Sequence, residues 1–141
     1  MIKIVVPGKP VYQQRHRHNF KTRHTYDPSQ KDKKKIWLLL AAQKPKKPLT
    51  EKLSFNIVFH IPRPKSHFRT GKFRYLLKSN SPQFHSTKPD IDNYCKFYMD
   101  LLQGDDRFFK DDSQICELNA KKIYCFQDEP PHTEIEIKII P

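Results

Sequence analysis

Alternation of apolar and polar residues predicts strands in four stretches of this chain. The clearest alternation lies at 53–61, where the apolar positions are Leu53, Phe55, Ile57, Phe59 and Ile61. A shorter run at 2–6, ended by Pro7-Gly8, follows the same rule, and so does a last run at 133–140. A fourth strand is predicted at 114–126, after an acidic turn.

Two helices are predicted between these strands. The first begins at Asp27-Pro28, an N-cap followed by proline at the first helical position, and runs to about Gln43. The second runs from Asp90 to about Leu102 and is ended by Gly104. The side chains expected on their buried sides are Ile36, Trp37, Leu39 and Leu40 in the first helix and Tyr94, Phe97, Tyr98, Leu101 and Leu102 in the second.

The order of these elements is strand, helix, strand, long loop, helix, strand, strand. This order is typical of an α+β fold with a mixed or antiparallel sheet and helices packed on it. A length of 141 residues suits one domain with a single core, so residues 1–141 are predicted to form one domain.

Two segments lack a clear period. Residues 11–26 are predicted to be a basic hairpin or loop. Residues 62–89 carry seven Lys or Arg and no acid, and they form a loop that is long for a compact domain. Such loops are usually functional or mobile, so we expect a mobile basic loop here.

The charge of the chain narrows the possible partners. The formal net charge of +12 indicates nucleic acid or another anionic surface. No apolar run approaches the roughly 20 residues of a membrane span, and no signal-peptide pattern is present, so we expect no membrane contact and a cytoplasmic or nucleoid-associated protein. Three cysteines without CxxC spacing favour free thiols over a disulfide or zinc site.

Basic residues of the two irregular segments are the predicted phosphate contacts. They are Arg15, Arg17, Arg63, Lys65, Arg69, Lys72, Arg74 and Lys88. Aromatic residues lie between them at 68, 73, 75 and 84, so rings as well as charges can meet a nucleic acid. The alternative is a surface loop whose aromatic residues only pack locally.

Acidic residues are concentrated beside this basic stretch, since eight of the fifteen lie between Asp90 and Glu117. Carboxylates repel phosphates unless they hold a divalent cation against a phosphodiester. Asp90 and Asp92, together with one carboxylate of Asp111-Asp112 from a separate element, would supply the oxygen ligands that Mg²⁺ prefers. The sequence therefore favours a metal-dependent nuclease.

Each of these acids also has an ordinary structural explanation. Asp90 and Asp92 could cap the helix, and Asp92 could pair with Lys96 four residues later on the surface. Asp111-Asp112 could be a polar turn. Asp100 is expected to form a salt bridge on the helix face.

A family resemblance adds to this interpretation. The segment KPDIDNYCKFYMDLLQG followed by DDSQI resembles the core signature of the RusA family of Holliday junction resolvases. The opening GKPVYQQRHR and the TYDP before the first helix also resemble the N-termini of that family. The resemblance thus covers most of the chain.

The resemblance implies a homodimeric, Mg²⁺-dependent endonuclease that cuts four-way junction DNA with two symmetric nicks; Mn²⁺ is a possible substitute for Mg²⁺. It assigns the metal ligands to Asp90, Asp92 and Asp112 and the catalytic lysine to Lys96. The stretch 105–110 is slightly longer than the family pattern, and Asp105 or Asp106 could compete with Asp112, as could Asp111.

Two other functions stay open at this point. One is a non-catalytic nucleic-acid-binding protein whose acids are only caps and turns. The other is a related nuclease acting on RNA or on flapped DNA. His16, His18 and His24 are expected to add to the basic surface, with a metal or general-base cluster as the alternative. His85 is a further candidate for a catalytic role, because it lies shortly before Asp90 in the sequence. Asn93 could orient Asp92, and Gln114 could simply open the strand.

Overall fold

A four-stranded mixed sheet carries the fold, and the computed structural model describes every residue from Met1 to Pro141. The strand order in space is β1-β6-β4-β5. The pairs β1–β6 and β4–β6 are antiparallel, and β4–β5 is parallel. The strands are β1 (Ile2–Pro7), β4 (Leu53–Ile61), β5 (Ile115–Tyr124) and β6 (His132–Ile139), with a separate hairpin of β2 (Arg17–Asn19) and β3 (His24–Tyr26). The predicted α+β fold with a mixed sheet is confirmed.

Both helices, α1 (Gln30–Leu40) and α2 (Ile91–Leu102), contribute to one core against the sheet. Alternate residues of the central strands face this core and are almost completely buried, for example Ile4 in β1, Phe55 in β4 and Ile135 in β6. The residues between them point to the opposite face of the sheet. No helix covers that opposite face, and Val5 there is 57% exposed.

Helix α1 differs from the prediction in its start and in its buried side. It begins at Gln30 with Ser29 as N-cap, and the Asp27 carboxylate accepts a hydrogen bond from the Ser29 N–H at 2.9 Å. Leu39, expected in the core, is 56% exposed, so that prediction is wrong. Lys33 is buried instead, because the inward stripe follows positions 33, 36, 37 and 40 at helical spacing.

The basic segment 62–89 is built from turns. Short 3₁₀ turns lie at Lys65–His67 and Gly71–Phe73, and Phe68 bridges Leu77. The Arg63 guanidinium donates to the carbonyls of Cys125 and Pro82, both at 2.7 Å. The bond to Cys125 attaches the loop to the chain just after β5, and the bond to Pro82 ties the two arms of the loop together. Mobility of the loop stays a prediction.

The cysteines are free, as predicted, and two of them are buried. Burial and the nearby Asp92 carboxylate raise the pKa of the Cys95 thiol to about 11. Cys95 is therefore protonated at neutral pH. None of the helices combines the length and the apolar character needed to cross a membrane.

Candidate active site

The N-terminal end of α2 presents two carboxylates that have no partner. Asp90 occupies the N-cap position, yet its side chain accepts no capping hydrogen bond. Asp92 lies in the first turn, is exposed and forms no salt bridge with Lys96. Capping by Asp90 and a surface pair of Asp92 with Lys96 are therefore both absent from the structure. These side chains are free to bind a ligand.

The segment 9–15 lies along α2 and forms a cleft at Asp90. The Val11 N–H donates to the Tyr98 hydroxyl at 3.0 Å, and the Gln13 N–H donates to the Asn93 carbonyl at 2.9 Å. The open cleft between segment and helix has a volume of about 650 Å³. Its lining includes Asp90 and Asn93 together with the cations Lys9, Arg15 and Lys88. An acid beside three cations suits a site where a metal and a phosphate meet.

The start of α1 holds this segment in place. The Gln13 amide donates to the Asp27 carboxylate at 2.8 Å, and the Gln14 N–H donates to the Ser29 hydroxyl at 2.9 Å. Two motifs that are separate in the sequence, GKPVYQQRHR and TYDP, thus meet through these bonds. These bonds hold Gln13 and Gln14, the residues just before Arg15, which lines the cleft.

Asp112 lies at the other end of α2. Its N–H donates to the Gln103 side chain at 2.9 Å, just beyond the last helical residue. The twelve residues of α2 rise by about 18 Å. The strand gives a similar length. The Lys122 ammonium donates to the Pro89 carbonyl, and the seven steps along the strand from Ile115 to Lys122 span about 23 Å.

The three predicted metal ligands are therefore not brought together within one chain. Asp90 and Asp92 lie at one end of α2, and Asp112 lies roughly 20 Å away. The sequence led us to expect that these three acids converge on one metal ion, and within one chain they do not. The reason is topological. Residues 103–114 connect α2 to β5, and the two elements run in opposite directions, so a residue just before β5 lies at the C-terminal end of α2.

The acids that compete with Asp112 are mostly engaged. Asp106 forms a 2.5 Å salt bridge with Lys44. Asp111 caps the turn Asp112–Gln114 by accepting from the Ser113 hydroxyl and from the Ser113 N–H. The Ser113 bonds hold the pKa of Asp111 below its usual value. Asp112 and Asp105 are exposed and have no side-chain hydrogen bond or salt bridge, so Asp112 keeps a free carboxylate.

The side chain of Gln114 holds the acidic turn at 110–114 against the 49–51 segment. Its side-chain oxygen accepts from the Lys110 and Asp111 N–H groups at 3.0 and 2.9 Å. Its amide donates to the Leu49 and Glu51 carbonyls, both at 2.9 Å. Gln114 therefore does more than open the strand, and the sequence offered no signal for this beyond the D-D-x-Q pattern.

A hydrogen-bonded chain also reaches Asp112 from α1. The Lys33 ammonium contacts Asp100 at 2.6 Å, and the other Asp100 oxygen accepts from the Gln103 amide at 3.0 Å. Gln103 in turn accepts from the Asp112 N–H. The salt bridge expected for Asp100 is present, and it connects the core lysine to the position of Asp112.

The predicted phosphate contacts fall into separate places. Arg15 and Lys88 line the Asp90 cleft, and Arg17 lies in the β2–β3 hairpin. Lys65, Arg69 and Arg74 line a second open cleft in the 62–89 loop, and Lys72 is exposed next to the Phe73 ring.

Arg63 is the exception among these predicted contacts. Its guanidinium is committed to two backbone carbonyls and lies over the Tyr124 ring. Arg63 thus holds the loop, and its expected DNA contact is not supported by this geometry.

The histidines highlighted by the sequence do not form a cluster of metal ligands. His16, His18 and His24 are exposed in or beside the hairpin. Burial and the nearby Lys122 ammonium lower the pKa of His85. A different group, His60 and His132 with Glu134, brings its ligand atoms within 4.8 Å of one another. The sequence did not reveal it, because the two histidines meet only through strand pairing.

Comparison with known proteins identifies relatives. A protein-family profile described as "Endodeoxyribonuclease RusA" matches residues 7–138. The chain is 31% identical over 141 residues to "Uncharacterized protein YqaN" of Bacillus subtilis (strain 168), covering 97% of this chain and 95% of that protein. It is 39% identical over 67 residues to "Crossover junction endodeoxyribonuclease rusA" of Lactococcus phage r1t, covering 46% of this chain and 48% of the phage protein.

Proposed function

Because this chain belongs to the RusA family of endodeoxyribonucleases, we propose that it resolves Holliday junctions by paired nicks, using Mg²⁺, in DNA recombination and repair. The observation that carries this proposal is the pair of unpartnered carboxylates at the start of α2, Asp90 and Asp92, of which Asp90 lines a cleft that is also lined by cations. A protein that only coats DNA would gain nothing from carboxylates left unpaired beside its phosphate contacts.

The donor set at this end of α2 fits Mg²⁺, or Mn²⁺ in its place. Asp90 and Asp92 offer hard oxygen ligands that no internal hydrogen bond or salt bridge occupies. A bound divalent ion there would lower the pKa of a coordinated water and neutralise charge on the phosphate. Lys96 would stabilise the negative charge that develops, and Arg15 and Lys88 would hold the neighbouring phosphates.

A third carboxylate from a second copy of the chain would complete the site. Within one chain Asp112 is roughly 20 Å from Asp90 by helix and strand lengths, yet its carboxylate is free. A two-fold axis that brings Asp112 of one copy to Asp90 and Asp92 of the other creates two equivalent sites. Two such sites match two symmetric nicks in a four-way junction.

The substrate is tested by incubating the protein with a labelled four-way junction, a duplex, a single strand, a flapped DNA and an RNA, each with Mg²⁺ or with EDTA. Paired nicks in the junction alone, lost in EDTA, are the expected result. Tight junction binding without cutting in any metal would support a non-catalytic binding protein instead. Preferential cutting of RNA or of the flapped DNA would support a related nuclease with that substrate.

The shared site is tested by mixing two inactive variants, Asp92→Asn and Asp112→Asn, under conditions where subunits exchange. If Asp112 acts on the partner, each mixed dimer contains one site with all native ligands, and single-strand nicking of the junction returns. If Asp112 acts in its own chain, neither site of the mixed dimer is intact and no nicking returns. A mixture that stays inactive despite proven exchange would contradict the shared site.

A further inference from the structure

A group of two histidines and a glutamate lies on the face of the sheet that no helix covers. His60 of β4 and His132 of β6 are direct cross-strand partners. Glu134 follows His132 by two residues, so the pleat of β6 points both side chains to the same face. Asp90 and Asp92 belong to α2, which packs on the core face. The histidine group is therefore separate from the nuclease site.

The potential ligand atoms of the three side chains converge. The Glu134 Oε1 atom lies 3.3 Å from His60 Nε2 and 3.0 Å from His132 Nε2. The two imidazole rings stack with centroids 3.9 Å apart and planes inclined by 11°. A tetrahedral site with metal–nitrogen bonds of 2.0–2.1 Å has ligand atoms about 3.3–3.4 Å apart. The two separations from Glu134 Oε1 are close to those of such a site, and all three ligand atoms lie within 4.8 Å of one another. Because the rings are nearly parallel, they must tilt towards each other for both Nε2 lone pairs to meet one ion.

The other nitrogen of each ring already has a partner. His60 Nδ1 is 3.0 Å from the Glu129 carboxylate, and His132 Nδ1 is 2.8 Å from the Pro130 carbonyl. Histidines that bind metals typically donate one ring N–H to a carboxylate or carbonyl, which fixes the tautomer and leaves the second nitrogen for the ion. Both rings meet this condition. The remaining His60 Nε2 lies near Glu134, and the remaining His132 Nε2 is hydrogen-bonded to Glu134, a contact that a bound ion would replace.

One of these nitrogens is buried without a hydrogen bond. His60 Nε2 is shielded from solvent, and the side chain of His60 is only 10% exposed. Glu134 is near it, but the angles do not make a hydrogen bond. Buried polar atoms almost always find a partner, so an unsatisfied one needs an explanation. A cation placed between the three ligand atoms would satisfy it.

We propose that His60, His132 and Glu134 bind one divalent transition-metal ion, with Zn²⁺ as the closest fit. Two imidazole nitrogens with one carboxylate oxygen suit zinc and disfavour Mg²⁺, which takes oxygen ligands. Three protein ligands leave a fourth position for water. Because Glu129 and Pro130 support the rings, binding ties the turn after β5 to the centre of the sheet.

The test is calorimetric titration of the intact protein with Zn²⁺ in excess Mg²⁺, which occupies sites made only of oxygen ligands. We expect one Zn²⁺ per chain and a higher Tm on binding. Titration with Co²⁺ should give the visible absorption of a four-coordinate site with nitrogen ligands. His132→Asn and Glu134→Gln should each weaken Zn²⁺ binding by at least about tenfold.

Two control variants separate this site from the other metal-binding groups of the chain. Asp92→Asn changes the proposed nuclease site and should leave the Zn²⁺ titration unchanged. His16→Asn removes an exposed histidine of the N-terminal segment and should do the same. His132→Asn must keep the circular dichroism and junction affinity of the parent. If His132→Asn does not fold, Glu134→Gln replaces it as the test variant. The proposal is overturned if no Zn²⁺ binds, or if binding survives in both site variants or is lost in His16→Asn.

Discussion

Aspartate side chains are unpaired at the N-terminal end of α2 and mostly paired near its C-terminal end. At the N-terminal end, the carboxylates of Asp90 and Asp92 have no hydrogen bond or salt bridge, although Lys88 and Lys96 are close in sequence. Towards the C-terminal end the acids are mostly occupied. Asp100 is paired with Lys33, Asp106 with Lys44, and Asp111 with Ser113.

This difference separates acids that hold the fold together from acids available to a ligand. A carboxylate satisfied by a lysine or a turn N–H contributes to stability, and its removal should be felt in unfolding. A carboxylate left unpaired beside cations contributes little to the fold. Asp112 lies among the acids that are paired within the fold, but its own carboxylate is free, as in the acids available to a ligand. Its position alone therefore does not show whether it stabilises the fold or binds a ligand.

The largest expected effect comes from Asp92→Asn. If Asp92 holds the metal, cleavage of the junction should fall by about 10³-fold, a loss of about 4 kcal/mol of transition-state stabilisation. Junction affinity should stay equal or rise, because one negative charge near the phosphates is gone. Tm should not change, since the carboxylate has no partner in the fold. Single-turnover cleavage, gel-shift titration and thermal melting measure the three quantities.

Asp111→Asn is the matched control for this variant, because it is also exposed and lies beside Asp112. It should lower thermal stability through its turn, and cleavage should fall far less than in Asp92→Asn, because every proposed metal ligand is still present even where the turn loosens. Near-normal turnover in Asp92→Asn would contradict the assignment of Asp92 to metal binding. An inactive but fully stable Asp111→Asn would contradict the assignment of Asp111 to the stability of the fold.

The next effect concerns the buried lysine. Lys33→Met removes the cation between Asp27 and Asp100, whose salt-bridge distances are 2.7 and 2.6 Å. Breaking a buried pair leaves an uncompensated charge; because Asp100 is partly exposed and can hydrate, we expect a loss of about 2–3 kcal/mol in the free energy of unfolding. Urea denaturation measures it. Lys34→Met, an exposed neighbour without a salt bridge, should change this free energy by less than about 0.5 kcal/mol.

The strands and the core could be read from the sequence because they depend on local periodicity. Phe55 and Ile135 alternate with polar residues and are buried as predicted. Lys33 could not be anticipated, because its burial depends on acids from two other elements, one of them 67 residues away. Leu39 was wrongly predicted to be buried, because an apolar residue in a helix is buried only where the helix meets the core. Which side of α1 meets the core also depends on the tertiary structure.

The candidate site was predictable in its residue types and less so in its arrangement. The motif spacing indicated Asp90, Asp92 and Asp112. Their separation follows from the opposite directions of α2 and β5, which no spacing rule encodes. The pairing of His60 with His132 likewise depends on the register of two strands that are far apart in the chain.

A smaller effect on stability is expected from Gln114→Ala. The variant removes four hydrogen bonds to backbone groups of the acidic turn and of the 49–51 segment. Water can replace part of these bonds, so we expect a loss of about 2 kcal/mol in the free energy of unfolding. Cleavage should also fall, because the turn that positions Asp112 loosens.

Gln43→Ala is the control for Gln114→Ala, since Gln43 is exposed and its side chain has no hydrogen bond. It should leave both unfolding and cleavage unchanged. If Gln114→Ala were as stable as the parent, the hydrogen bonds of the Gln114 side chain would not be what holds the turn.

The smallest effect is the acid dependence of the Asp27 salt bridge. Burial acts to raise the pKa of Asp27, but hydrogen bonds from Lys33, Ser29 and Gln13 outweigh it and hold the pKa below its ordinary value of 3.8. A carboxyl with a lowered folded-state pKa stabilises the fold above pH 4, and this stabilisation is lost as pH falls through the folded-state value. The unfolding free energies of the parent and Asp27→Asn should therefore differ by about 1 kcal/mol at pH 6 and converge towards pH 2. In the Lys33→Met background the convergence should shrink, since the lysine supplies the strongest of these hydrogen bonds. A constant difference from pH 6 to pH 2 would mean that the charge of Asp27 does not stabilise the start of α1.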